Sequence, residues 1–436
     1  MTYHAVVDRF AAPVALDPWS LTIFAAVFAA VAILTIRRPA YGLCALILLT
    51  PFALSRDVLG TTITLPKAAL VGVLVGLTAH PRILQRLRER PMPLLLGVVG
   101  IYVAVTALTL VAALHPVATL RETLKFVEYA AVLVCAYCCF RLDPDDGAVC
   151  VAIAAAAIAV SVTALAQEFT GAPSGLYVGK AIVPRIAGVL EGPNQLAGYF
   201  QVAVAALGAW TLVRRTACTD VALALAVCAD VLTFSRAGLL GLAIVGAVLV
   251  VVGGRAALRT LRPAYAGLAA GLAVVGWWGY YAHTVDVLRV SLDESAYAGG
   301  VGDRRELWHA AWQMWRAHPL LGVGAGNYEL ELPAYGTIGV RTHANSWFLQ
   351  SLAEGGLALF AATIGLLVAI VATFARRVRG GSPWILAALA ASVALGIHQI
   401  ADYLVFYPKV GTAWWSLVGI ASAAVARSGA PTEDAG

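Results

Sequence analysis

Charged residues are scarce in this chain. They make up 12% of its 436 residues, whereas hydrophobic residues make up 61% and the mean hydropathy is +0.83. An ordinary soluble domain carries about 25% charged residues, so this deficit excludes such a domain. Apolar runs of roughly 20 residues, long enough to cross a bilayer core, recur from residue 18 to residue 426. The composition therefore indicates a polytopic membrane protein.

Three further features are missing. The long apolar runs do not alternate, which favours helices over a closed barrel because backbone polar groups in lipid must be satisfied within the segment or by barrel closure. The cysteine cluster at 135–139 has no nearby histidine or carboxylate, so we interpret it as buried hydrophobic packing and expect no metal or other cofactor. The N-terminus lacks the basic region of a cleaved signal peptide, so we expect the first run to be a retained anchor.

The apolar runs predict an all-α fold with about 12 or 13 transmembrane helices. The uncertain run is 40–55, which is short and contains Pro51. We expect an N-terminal bundle at 1–282, a large helical loop at 283–345, and C-terminal helices with a short tail at 346–436. The predicted spans are 18–36, 40–55, 62–80, 92–114, 121–140, 147–168, 194–213, 219–234, 237–253, 263–282, 346–375, 383–402 and 409–426.

Arginine-rich loops set the predicted orientation. Arginines crowd the short loops at 82–90, 214–215, 255–262 and 376–379, and such loops are cytoplasmic by the positive-inside rule. The net charge of +6 is thus a topology signal, and nucleic acid is not expected as a partner. Counting spans outward places the polar loops on the opposite face. These loops are 115–120, 169–193, 235–236, 283–345 and 403–408.

The large loop contains a segment with tryptophans at helical spacing. Residues 303–317 predict an amphipathic helix, which Pro319 and three glycines then end. We expect this helix to lie on the outer membrane interface above the bundle.

Two polar islands precede that loop. The first, at 185–197, joins a proline-glycine turn to a helix that begins near Asn194. Its Arg185 and the N–H groups at the helix start suit an anion, although an ordinary capped loop is the alternative. The second, at 233–238, places Arg236 between two apolar runs, where a charge is either a snorkelling anchor or a functional group.

The third island, at 304–356, contains most of the candidate chemistry. Arg304 and Arg305 either bind an anion or simply solvate the amphipathic helix. His343 is a titratable group near neutral pH, or else a satisfied polar group at a helix start. The combination of these residues on one face favours a functional site.

The spacing of these islands resembles the O-antigen ligase and polymerase superfamily of bacterial membrane glycosyltransferases. The motifs, in family order, are RxxGxxxxPNxxA at 185–197, TxSRxG at 233–238, an arginine-tryptophan-GxGxGN pattern at 304–327, and HxN at His343 followed by LQxLAExG ending at Gly356. The resemblance implies a polytopic helical fold with a large periplasmic loop before a late transmembrane helix.

The similarity spans roughly residues 60–426, with two departures. Asp303 stands where a glycine is expected, and Asn345 and Ser346 stand where His-Asn is frequent. His343 is therefore the only histidine of its motif.

The resemblance implies transfer of a glycan from undecaprenyl diphosphate to an acceptor hydroxyl, on the periplasmic side of the bacterial inner membrane. Arg185, Arg236 and Arg304 would bind the diphosphate through their guanidinium groups. His343 would be the general base of a metal-independent, inverting displacement. Further expected substrate contacts are Asn194, Asn345, Arg121, Lys125 and Arg305.

Several polar residues have open assignments. Arg121 and Lys125 lie one helical turn apart, and they either pair internally with Glu128 or extend the diphosphate site. A structural role is favoured for Arg121, Lys125 and Glu128, and likewise for the other candidates, which are Lys180, Glu191, Glu354, His398 and Asp402.

Three activities within the superfamily fit these residues. We favour a ligase acting on lipid A-core oligosaccharide, with polymerase as the close alternative and protein O-oligosaccharyltransferase as another. The expected partners are carrier-linked O-antigen, the acceptor and membrane lipids. A transporter of polyprenyl-linked sugar is the alternative from a different class, but transporters place polar residues at the bilayer midplane and often have repeated halves.

Overall fold

The computed structural model describes residues 18–52, 55–58, 61–171, 177–178, 183–281, 304–337, 342–379 and 381–428. Lys180 and Asp303 lie outside these ranges. Every predicted apolar run contains a helix within them.

The helices follow the predicted order. The N-terminal ones are α1 (Pro18–Arg37), α2 (Pro39–Leu49), α3 (Leu65–Leu77), α4 (Ile83–Leu87), α5 (Met92–Leu108), α6 (Pro116–Leu142) and α7 (Asp146–Thr170). They are followed by α8 (Pro193–Val213), α9 (Ala217–Val231), α10 (Arg236–Thr260), α11 (Arg262–Tyr281), α12 (Arg304–Ala317), α13 (Tyr328–Glu331), α14 (Trp347–Ala375), α15 (Pro383–His398) and α16 (Pro408–Ser428). Short 3-10 turns are Thr109–Val111, Leu332–Tyr335 and Leu404–Phe406.

Across the residues that the structure describes, the fold is helical apart from two short antiparallel ladders. In the first, β1 (Ser55–Val58) pairs with β2 (Thr61–Thr64), and in the second, β3 (Tyr177–Val178) pairs with β4 (Val183–Pro184). Neither ladder extends beyond two strands.

Six helical segments in the described ranges are long and apolar enough to cross a membrane. They are Met92–Val111, α6, α7, α8, α10 and α14. The protein is therefore a multi-pass membrane protein, while the full count of about 12 or 13 spans stays a prediction.

Local sequence explains where the helices begin. Proline occupies the first turn of α6, α8, α15 and other helices, where its missing N–H costs nothing and its fixed φ suits the helix. Serine side chains cap two helices that begin at polar islands: Ser235 accepts from Gly238 N, and Ser346 accepts from Leu349 N. Both islands therefore contain a capped helix start.

The bundle has two chemically different ends. At one end, Arg141 pairs with Glu89 at 2.7 Å and Arg427 lies 3.5 Å from Asp146. This is the end of the arginine-rich loops. The polar islands meet at the other end, where α8, α10, α14 and α16 begin, and we call it the site end.

Helix α14 is broken near the site end, and the glycine-rich loop at 319–326 forms hydrogen bonds with the backbone at the break. Gly356 has a non-helical φ of 57°. The N–H of Leu357 therefore donates to Pro319 O at 2.9 Å, while Ala353 O accepts from Val323 N at 3.0 Å. Backbone groups freed by a helix break at membrane depth need such partners. The glycine-rich loop is thus fastened to α14.

This docking depends on Gly322, which has a φ of 61° and whose added Cβ would overlap the backbone of Glu354. We expect Gly322→Ala to lower stability by about 1–3 kcal/mol, because it adds backbone strain to a steric clash. The measurement is the unfolding midpoint of the purified protein in detergent. Gly365→Ala is the matched control, since its added Cβ meets nothing within 4 Å. Equal midpoints for the two variants would contradict the docking role.

Candidate active site

His343 lies in a pocket of aromatic rings just before α14. Its side chain is buried, with 5% of the residue exposed. The ring centroids of Tyr403, Phe406 and Tyr407 lie 5.9, 5.5 and 5.7 Å from its own. His343 Nε2 is 3.0 Å from Tyr407 Oη, and Asn345 N donates to His343 Nδ1 at 3.1 Å. Each nitrogen of the imidazole therefore has a hydrogen-bond partner.

Burial lowers the pKa of His343 from its ordinary value, because desolvation disfavours the charged ring. The negative charge of Asp402 acts in the opposite direction, whereas the charges of Lys125 and Arg304 lower the pKa further. Because the net shift is downward, the ring is neutral at neutral pH.

A hydrogen-bonded chain connects the first two islands to the start of α14. Arg185 Nε donates to Thr233 O at 3.0 Å, and its Nη2 lies 3.4 Å from Asn194 Oδ1. Asn194 Nδ2 then donates to Asp402 Oδ2 at 2.7 Å. Asp402 O in turn accepts from Trp347 N at 2.9 Å. Residues far apart in sequence are thus brought together beside His343.

Arg236 begins α10 at this same end. Its side chain is exposed, and the preceding Phe234 has a φ of 50°, which makes the turn between α9 and α10 tight. The second island therefore presents its arginine at the surface next to the Arg185 contact at Thr233.

Helix α12 is amphipathic, as predicted. Its buried face consists of Leu307, Ala310, Ala311 and Met314. Trp308 and Trp312 are 36% and 45% exposed. Arg304 is half-buried and its charge acts on His343, whereas Arg305 is exposed. The two adjacent arginines therefore have different environments, and the charge of Arg304 acts on His343.

Lys125, on α6, is paired within the protein. Lys125 Nζ lies 2.7 Å from Glu122 Oε1 and 4.4 Å from the ring centroid of Phe406, so it lines the wall of the His343 pocket. Glu128 instead pairs with Lys67 at 3.6 Å, and Arg121 is exposed. Lys125 therefore belongs to the pocket wall, and Glu128 does not.

Sequence patterns missed Tyr407, which contacts His343, and Lys409, which contacts the loop of the first island. Lys409 lies 3.2 Å from Glu191 Oε1 and donates to Val189 O. Tyr407 lies in the short loop 403–408 and Lys409 directly follows it, and the predicted topology assigns this loop to the same face as His343. The predicted topology was therefore the sequence feature that pointed to this loop, because the loop contains no recognisable motif.

The glycine-rich motif before Asn327 has a structural role in this chain. Asn327 is buried; its Nδ2 donates to Thr119 Oγ1 at 2.8 Å, and its Oδ1 accepts from His115 N at 2.6 Å. Glu354 Oε1 likewise accepts from Tyr328 N at 3.1 Å. Glu354 thus satisfies a neighbouring loop, as predicted.

Among the described residues, no group of three His, Cys, Asp or Glu side chains is arranged to hold a metal ion. In that part of the chain, the charged groups that act on His343 are Asp402, Lys125 and Arg304.

Residues 221–364 match the family model described as O-antigen ligase. This segment is an O-antigen ligase family domain. The O-antigen ligase domain contains the second island and the third, including His343, and it ends before Asp402 and Tyr407. No curated protein matches the chain. The family implies a membrane glycosyltransferase of the ligase or polymerase type.

We expect Asn327→Ala to loosen the loop that precedes His343. It leaves buried donors and acceptors unsatisfied, which costs about 1–3 kcal/mol for each such group. Amide hydrogen exchange of residues 318–337 should quicken relative to the wild type. Gln313→Ala, on the exposed face of α12, should leave this exchange unchanged; similar exchange in both variants would show that Asn327 does not hold the loop.

Proposed function

We propose that this protein transfers O-antigen polysaccharide from undecaprenyl diphosphate to lipid A-core oligosaccharide, on the periplasmic face of the inner membrane. One observation carries the proposal: buried His343 lies at the same end of the bundle as the hydrogen bonds that join Arg185, Asn194 and Asp402, and residues 221–364 match the O-antigen ligase family model. The reaction is metal-independent and inverts the anomeric carbon.

The basic residues at the site end suit a lipid diphosphate. Arg185, Arg236 and Arg304 provide guanidinium groups that bind phosphate oxygens in pairs. Their positions near the helix starts support binding at the membrane surface, where a polyprenyl carrier presents its head group. Additional contacts come from Arg121, Lys125, Arg305, Asn194 and Asn345.

His343 is suited to remove a proton from the acceptor hydroxyl. A base must be unprotonated at the working pH, and burial provides this by lowering the pKa of the ring. The acceptor oxygen attacks the anomeric carbon while the carbon–oxygen bond to the diphosphate breaks. The carboxylate of Asp402 then stabilises the imidazolium that forms.

The proposed architecture has about 12 or 13 spans, with an N-terminal bundle at 1–282, an outer loop at 283–345 and C-terminal helices at 346–436. All polar islands belong to one end, which argues against a midplane transport site. Polymerase or protein-directed transfer uses the same site with a different acceptor.

The first test is His343→Gln in purified protein, reconstituted with carrier-linked glycan and rough lipopolysaccharide. Loss of a general base lowers the rate by about 100-fold to 10,000-fold, so glycan transfer measured on gels should fall by at least the lower figure. His309→Gln, on the exposed side of α12, is the control and should keep its activity. Full transfer by His343→Gln would show that His343 is not the base.

The same reconstitution separates the acceptor classes. With carrier-linked glycan alone, a ligase yields no longer carrier-bound chains, and product appears only when rough lipopolysaccharide is added. Chain extension without lipopolysaccharide would instead identify a polymerase. Unchanged substrate in all arms would favour transport.

The pH dependence tests the base more finely. Activity should fall as the pH drops through the pKa of His343, because only the neutral ring accepts a proton. Asp402→Asn removes a charge that raises this pKa, so its acid limb should move to lower pH. The measurement is kcat/KM against pH for both proteins. An acid limb that moves to higher pH in the variant would contradict the assignment.

A further inference from the structure

The two ring nitrogens of His343 have different partners, which determines where its proton is. Nδ1 lies 3.1 Å from Asn345 N, and a backbone N–H can only donate. Nδ1 must therefore be unprotonated. A neutral imidazole has one N–H, so Nε2 carries it and donates to Tyr407 Oη at 3.0 Å.

We propose that Tyr407 is a positioning residue that holds His343 in this tautomer, so that Nδ1 is the atom that takes the acceptor proton. This inference rests on the proposed transfer reaction and specifies it at the level of one atom. A base oriented by a third group through its second nitrogen is a recurring arrangement in enzymes.

The backbone turn at Asn345 forms the Nδ1 contact in the substrate-free protein. Asn345 has a φ of 48°, a conformation that asparagine tolerates better than most residues. The next residue, Ser346, caps α14, and Trp347 N donates to Gln399 O at 3.0 Å. The turn therefore directs the Asn345 N–H to the ring two residues earlier.

In the reaction, the acceptor hydroxyl displaces the Asn345 N–H, which occupies the lone pair of Nδ1 in the substrate-free protein. Its oxygen–hydrogen bond breaks and the proton binds Nδ1, while the oxygen's electron pair forms the bond to the anomeric carbon. The diphosphate leaves with the electrons of the broken carbon–oxygen bond. Throughout the step, the proton on Nε2 of the imidazolium stays hydrogen-bonded to Tyr407 Oη, so the ring does not rotate.

Tyr403 supplies a matched comparison. Its ring also contacts His343, edge-on at 5.9 Å between centroids. Its hydroxyl, however, donates to Glu122 Oε1 at 3.1 Å. Tyr403 therefore packs against the imidazole without bonding to its nitrogens, and removing its hydroxyl should leave the tautomer unchanged.

The test combines spectroscopy with kinetics. Nitrogen-15 NMR of histidine-labelled protein in detergent, without substrate, distinguishes protonated from unprotonated ring nitrogens, and the spectrum of His343→Gln identifies the His343 signals among those of the eight histidines. We expect a single Nε2–H tautomer in the wild type and in Tyr403→Phe, and a mixture in Tyr407→Phe.

In the transfer assay, Tyr407→Phe should lower kcat about 10-fold to 100-fold with little change in KM, because it disturbs the base and leaves the substrate contacts in place. A proton on Nδ1 in the wild type, or an unchanged tautomer and kcat in Tyr407→Phe, would overturn the proposal. If the expected tautomers appear but the wild type transfers no glycan, the positioning contact stands and the proposed transfer reaction fails.

Discussion

The arrangement of the site depends on one buried carboxylate, that of Asp402. The residue is 1% exposed, and a buried charge is costly unless it is hydrogen-bonded. Its oxygens accept from Asn194 Nδ2 and Tyr403 N, both at 2.7 Å, and its backbone carbonyl accepts from Trp347 N. The starts of α8 and α14 are thereby tied to the turn after α15, and the position of His343 follows from this junction.

A second constraint is the need to pair backbone groups where α14 is broken. Because Leu357 N donates to Pro319 O and Ala353 O accepts from Val323 N, the loop supplies the hydrogen bonds that α14, the helix just after His343, lacks at its break. The glycines of the motif are required for this close approach, and Asn327 fixes the loop against α6. The glycine-rich motif therefore serves to hold the loop against α14 and α6.

Local sequence patterns predicted the features that depend on neighbouring residues, namely the positions of the helices and the two ends of the bundle. Apolar runs, prolines in first turns and serine caps located the helices, and the arginine-rich loops distinguished the two ends of the bundle. The site's contacts follow no such pattern, since Asn194 and Asp402 are separated by 208 positions and His343 and Tyr407 by 64. The i,i+3 pair of Lys125 with Glu122 could have been predicted from helical spacing. The spacing of Arg121 and Lys125 instead suggested a pairing with Glu128, which in the structure pairs with Lys67.

The same contacts explain how a single histidine can suffice in the HxN motif. Position 345 acts through its backbone: its N–H reaches His343 Nδ1, and its left-handed φ suits asparagine. In the substrate-free protein, a second imidazole at that position would add no hydrogen bond to the ring, because both nitrogens of His343 already have partners. A second buried histidine, His398, comes from α15, where the charges of Asp402 and Arg304 act on it as they do on His343. The electrostatic environment of the site is thus shared by two imidazoles, although the motif contains one.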